Sequence, residues 1–157
     1  MLEMAMFVPL LILLLMGMTE LARLTYTYYT LQKILYNLAR YVGTQQGVDF
    51  CGSSDAVVTA AKNFAISGTT DSTSNTIVAN LTADMIQIRL ERYSADTQGL
   101  GECDCSITGC DMAAGGRAPD FIVVSIPDGF SIRPIIPYLT TEPILFKPRV
   151  RVPFGGT

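Results

Sequence analysis

Four cysteines, at positions 51, 103, 105 and 110, are the residues whose type and spacing most directly suggest chemistry. Thiolates so placed could bind zinc, attach haem, or pair as disulfides. The zinc reading is a poor fit. Cys103 and Cys105 form a C-x-C step, tighter than the usual C-x-x-C, and the chain has no histidine to complete a mixed ligand set. A four-cysteine site including Cys51 is the form of that reading that spacing leaves open. Haem attachment needs C-x-x-C-H, which the missing histidine excludes. An even cysteine count in an exported chain reads instead as two disulfides. A bridge between 103 and 105 would be strained at such short separation. Cys51 is therefore expected to join Cys103 or Cys105, with Cys110 taking the other. By the chain-entropy model, the bridge from Cys51 would contribute about 3–4 kcal/mol.

Little else could catalyse. Without histidine the commonest general base and metal ligand are gone. There is no Ser/His/Asp or Cys/His set, no phosphate-cradling glycine loop and no clustered carboxylate pair. Asp104 and Asp111 merely flank cysteines in the stretch Gln98–Arg117. Catalytic sites need convergent titratable groups, so neither enzymatic activity nor a cofactor is expected. A formal charge of −3 with no basic block argues against nucleic acid as a partner. Asn80-Leu81-Thr82 fits the N-glycosylation tripeptide, which also arises often by chance. The tyrosines at 26, 28, 29, 36 and 41 lie at helical spacing, and packing accounts for them without invoking charge transport.

The elements that would carry these residues begin with an apolar run. Met4 to Thr19 holds no charge and is bounded by Glu3 and Glu20. As a helix it spans roughly 24 Å, somewhat short of a ~30 Å hydrocarbon core. A secretory signal needs a basic start, yet the first basic residue is Arg23. A core helix of so small a domain would not be apolar all round. A membrane-inserted helix that later packs against copies of itself fits best. From Leu21 the pattern turns amphipathic, with Leu21, Leu24, Tyr28, Leu31, Leu35, Leu38 and Val42 on one stripe and Gly43 as the stop. One helix of about 40 residues would be ~60 Å long, more than a chain of this size can bury. Pro9 should loosen or kink a turn. Gly17 either permits close helix approach or is neutral. Glu3 is either solvated among headgroups or paired with a positive group, such as the N-terminal amine of an adjacent subunit, which would set assembly register.

Downstream, Ser53 or Ser54 can cap a helix over Asp55–Ile66, with Ala56, Ala60 and Phe64 in one row and Gly68 ending it. Thr69–Asn75 reads as loop. Within Ile77–Tyr93, Ile86, Ile88 and Leu90 alternate with Gln87, Arg89 and Glu91 as in a strand with one polar side. Phe121–Ile126 is continuously apolar, hence central or covered on both faces. Asp128-Gly129 supports a turn. Pro134, Pro137, Pro143, Pro148 and Pro153 confine the tail to edge strands or extended loop. The expected fold is α+β: a long hydrophobic N-terminal helix (1–43) with a disulfide-stapled head (44–157), whose antiparallel sheet of three or four strands lies on the helix's second half.

The N-terminal stretch resembles the TadE-like pseudopilins of tight-adherence, type IV pilus-like systems. The matching elements are Glu3, Phe7, Val8-Pro9-Leu10-Leu11, Gly17, the Glu20-x-x-Arg23 step, and Ala39-Arg40-Tyr41 closing the helix. Ile122–Ile126, Arg133–Leu139 and Arg149–Phe154 are similar to the family's closing strands and basic, proline-containing end. The acidic residue stands third here, not fifth as after cleavage in pilin-like proteins, and no basic leader ending in glycine precedes it. The resemblance implies a subunit processed by a prepilin peptidase, inserted in the inner membrane, and drawn by pilus assembly machinery into an extracellular filament of identical subunits. The competing expectation is a membrane-anchored surface or periplasmic binding module that stays monomeric.

Overall fold

The computed structural model describes residues 2–45, 48–50, 55–70, 76–95, 97–103, 116–135 and 142–155, with side chains in the first helix from Phe7 onward. The first element, α1, runs unbroken from Leu2 to Gly43 and passes through Pro9. Leucine and methionine dominate its first half, and both are strong helix formers. Its threonines satisfy their hydroxyls on the helix itself. Thr25, Thr27 and Thr30 donate their hydroxyls to the carbonyls of Leu21, Arg23 and Tyr26, four residues back.

Helix α2 spans Ala56–Ser67. Its N-cap is Asp55, not Ser53 or Ser54, which lie outside the described residues. Asp55 Oδ1 accepts from the Val57 and Val58 amides at 2.7 and 3.3 Å. Gly68 ends the helix in the left-handed region (φ 77°), its amide donating to the Phe64 carbonyl at 2.8 Å. The buried face differs from the expected row. Ala61 and Ile66 are buried, while Ala56 and Phe64 are exposed. α2 is apolar on most sides, so periodicity alone does not select its face; the contact with α1 does.

After a 3-10 turn at Ala83–Met85 come strands β1 (Gln87–Ser94) and β2 (Gly99–Glu102). Strands β3 (Phe121–Ser125), β4 (Phe130–Ile132), β5 (Ile144–Phe146) and β6 (Arg149–Pro153) follow. Four of them form an antiparallel sheet in the order β2-β1-β3-β6, and β4 pairs with β5 in a separate ribbon. The molecule is thus α+β, a long apolar helix packed on a small antiparallel sheet. β3 is central, as its unbroken apolar run predicts, and the proline-bounded β6 is an edge.

Register fixes the two faces of the sheet. Leu90 pairs with Ile122 and Ile122 with Val152; Ile88 pairs with Val124 and Val124 with Val150. These residues point at α1, where Leu31, Leu35, Leu38 and Val42 are completely or almost completely buried. Each such leucine contributes about 1.5–3 kcal/mol of hydrophobic stabilisation. The covered stripe starts at Leu24 and Tyr28, both half-buried, with the β5 residue Phe146 meeting the Tyr28 ring at 5.5 Å. Leu21 is 66% exposed, although the head reaches its neighbour Glu20 through the Ile135 amide. At the other end, the Gly155 amide donates to the Gly43 carbonyl at 3.0 Å and ties the tail to the helix terminus.

Glu91 departs from the simple alternation. It lies on the outer side of β1, as expected for a polar residue, yet is only 8% exposed. Arg149 and Arg151, on β6, close over it with guanidinium nitrogens 2.5 and 2.6 Å from its two oxygens.

Candidate assembly surface

The first half of α1 is a helix surface without a cover. Phe7, Leu10, Leu13, Leu15 and Met18 are 62%, 63%, 74%, 60% and 61% exposed. From Phe7 the helix is long and apolar enough to cross a membrane, and none of its most apolar stretch is shielded by the other described residues. Isolated exposed leucines are ordinary, but a contiguous apolar sleeve marks a membrane or protein interaction site.

The residues singled out in the sequence fall into three groups. Phe7, Pro9 and Gly17 lie on the bare sleeve; a Cβ built on Gly17 would meet nothing within 4 Å. Glu3 is in the first turn of α1, and its side chain lies outside the described residues. Glu20 and Arg23 mark where the head begins, and there the structure shows contacts that spacing alone had not revealed.

Glu20 Oε1 accepts from Arg23 Nη2 at 2.7 Å and from the Ile135 amide at 2.6 Å. The same Arg23 nitrogen donates to the Arg133 carbonyl at 2.7 Å. The pair clasps the segment after β4 to the boundary of the charge-free run. The Ile135 amide, aided by Arg23, holds the Glu20 carboxyl below the usual carboxylate range against an opposing desolvation effect. An i,i+3 Glu-Arg step is legible in sequence; its backbone partners more than a hundred positions away are not.

Above the clasp, a groove of about 570 Å³ runs between α1 and α2. Tyr26, Tyr29, Ile34 and Leu38 from α1, Phe64 from α2 and Ile77 beyond it give the groove aromatic and aliphatic walls. Tyr26, Tyr29, Phe64 and Ile77 are all more than half exposed. Tyr28 lies on another side of α1, stacked edge-on against Phe146.

Cys103, just beyond β2, is half-buried against the core and is not a free cysteine. Cys51, Cys105 and Cys110 lie outside the described residues. Among the described residues no group of three or more His, Cys, Asp or Glu is placed to hold a metal ion.

Comparison with known families places one match on this surface. Residues 1–40 match the family described as TadE-like protein. The matched segment covers the bare sleeve, the Glu20–Arg23 pair and most of the buried stripe of α1. No curated protein and no solved structure matches the chain.

Proposed function

We propose that the chain is a structural, non-enzymatic subunit of an extracellular pilus-like filament of the tight-adherence type. It polymerises through the first half of α1 and rests in the inner membrane before assembly. The carrying observation is the uncovered apolar sleeve from Phe7 to Met18 on a helix whose second half is buried in its own head. Such a surface is stable in water only when lipid or other subunits cover it. The match of residues 1–40 to the TadE-like family supports the same reading and brings pilus assembly machinery in as a partner.

In this reading residues 1–43 form the filament core and 44–157 the displayed head. Phe7, Pro9 and Gly17 meet neighbouring helices. Glu3 pairs with a positive group of the next subunit, since an ionised carboxylate among apolar helices is costly alone. Glu20 and Arg23 act inside the subunit, fixing the head at a set height on the rod. Two disulfides, one from Cys51 to Cys103 or Cys105 and one from the remaining residue to Cys110, staple the head.

The test is cryo-microscopy of surface fibres from cells expressing the chain. Side-chain density that follows α1 in the fibre core is the expected result. A full-length product recovered only as discrete detergent-bound monomers, with no fibre under any condition, would establish the anchored binding module instead.

A further inference from the structure

The outer face of the sheet carries charge that the fold does not require. Directly opposite register partners share a face, which places Arg89, Val123 and Arg151 in one row and Glu91 with Glu102 in the next. Val123 is 1% exposed beneath this layer. Arg89 bonds Glu102 at 3.0 Å, and Arg149 and Arg151 share the sunken Glu91. Each guanidinium has five N–H donors and spends few of them here. The side chains of Arg89, Arg149 and Arg151 remain 41%, 58% and 43% exposed.

At one end of this face lies a cleft of about 260 Å³. Arg89, Lys147 and Arg149 supply positive charge to it, Glu91 and Glu102 oppose them, and Pro127 and Pro148 form apolar walls. Lys147 is exposed and makes no salt bridge among the described residues. With Arg151 beside it the face is net positive, on a chain whose formal charge is −3. The fully covered Val123 explains why long side chains lie here. It does not explain why four of the eleven cations of an acidic chain share this surface, nor why Lys147 makes no salt bridge among the described residues.

We propose that this cleft binds acidic sugar units, bearing carboxylate or phosphate groups, of an anionic polysaccharide. Forked guanidiniums held in place by a buried carboxylate are preorganised for such oxyanions. The apolar walls suit the C–H faces of a sugar ring, and the space exceeds what a bare ion needs. The face lies on the side of the sheet away from α1, so a filament with α1 at its core turns the cleft outward on every subunit. Repetition along the fibre then converts a weak single contact into avidity. The direction in which the face points rests on the filament reading; the chemistry of the cleft does not.

The test uses the full-length chain in uncharged detergent with polygalacturonate as probe, at low and high salt. Binding should be lost at high salt, since exposed charge contacts are screened. Lys147→Glu should weaken it about tenfold, the scale of reversing one charge beside an anion. Arg40→Glu, the same charge change on exposed α1 surface, should leave it unaltered, and uncharged dextran should not bind. Equal weakening by both variants, or no binding of polygalacturonate, overturns the proposal. So does equal affinity for duplex DNA. If Lys147→Glu abolishes fibres but not sugar binding, the face is a contact between copies and the inference fails. If fibres never form yet Lys147→Glu still loses the polysaccharide, the filament reading fails and the inference stands.

Discussion

The two halves of α1 share one continuous backbone and are both rich in leucine, yet they meet opposite surroundings. Leu13 is 74% exposed, whereas Leu35, six turns higher, is completely buried. The leucines are the same residue; what differs is whether the head packs on them and which residues share their turn of the helix. The covered half is amphipathic because one side faces the sheet and the other carries Lys33, Asn37 and Arg40. The bare half is apolar all round, and none of the described residues of its own chain covers it.

The sharpest way to break this contrast is to place the same charge in each half. Leu35→Asp should destabilise the head by about 4 kcal/mol or more, because a buried unpaired charge has nowhere to go. Thermal unfolding followed by circular dichroism will show it. Leu13→Asp should leave the melting of the head unchanged and stop membrane insertion and fibre growth, an aspartate at mid-bilayer costing about 3 kcal/mol. If both variants melt alike, the halves are not distinct.

A smaller effect tests whether the head is self-sufficient above the rod. Glu91→Ala leaves two arginines facing each other over Val123. The loss should be about 2 kcal/mol, below the range for a fully buried pair because both arginines are half in solvent. Chemical denaturation measures it, and fibre assembly should persist wherever the head stays folded. Smaller again is Gly68→Ala, at about 1 kcal/mol. There is open space for the methyl group, so the cost is the left-handed backbone alone. It should loosen α2 and leave the bare half of α1 untouched, which local hydrogen exchange can separate.

The most local prediction concerns the boundary itself. The Glu20 carboxyl has its folded value lowered, so the clasp is intact above the ordinary carboxylate range and fails as pH falls through the lowered value. Protection of the Ile135 amide should therefore drop on acidification in the native chain. In Glu20→Gln it should be weak at every pH. Equal acid loss in both would assign the effect to other groups.

Much of this fold was legible beforehand because it rests on periodicity. The charge-free run, the stripe through Leu31, Leu35, Leu38 and Val42, and the uninterrupted apolar β3 are patterns that one face or no face can satisfy. Leu21 was misplaced because periodicity gives a stripe but not which of its residues a partner covers, and here the head holds Glu20 and Arg23 while leaving Leu21 exposed. The row through Ala56, Ala60 and Phe64 did not mark the buried face of α2 for a similar reason, an apolar helix offering several equivalent faces. Glu91 could be put on the outer side of its strand but not seen to be buried, since that depends on β6 arriving beside β3. The assembly residues divide likewise. Phe7 and Gly17 are recognisable from a sleeve lacking charge, while the bond from Glu20 to Ile135 joins positions too distant for any local pattern.

One consequence of the unbroken α1 is mechanical. No flexible joint separates the greasy stem from the globular end, and the clasp at Glu20 braces the junction. In the filament reading proposed above, drawing the molecule out of a bilayer would be a piston stroke of roughly 24 Å by a stiff helix. Whatever pushes on the globular end is pushing directly on the stem.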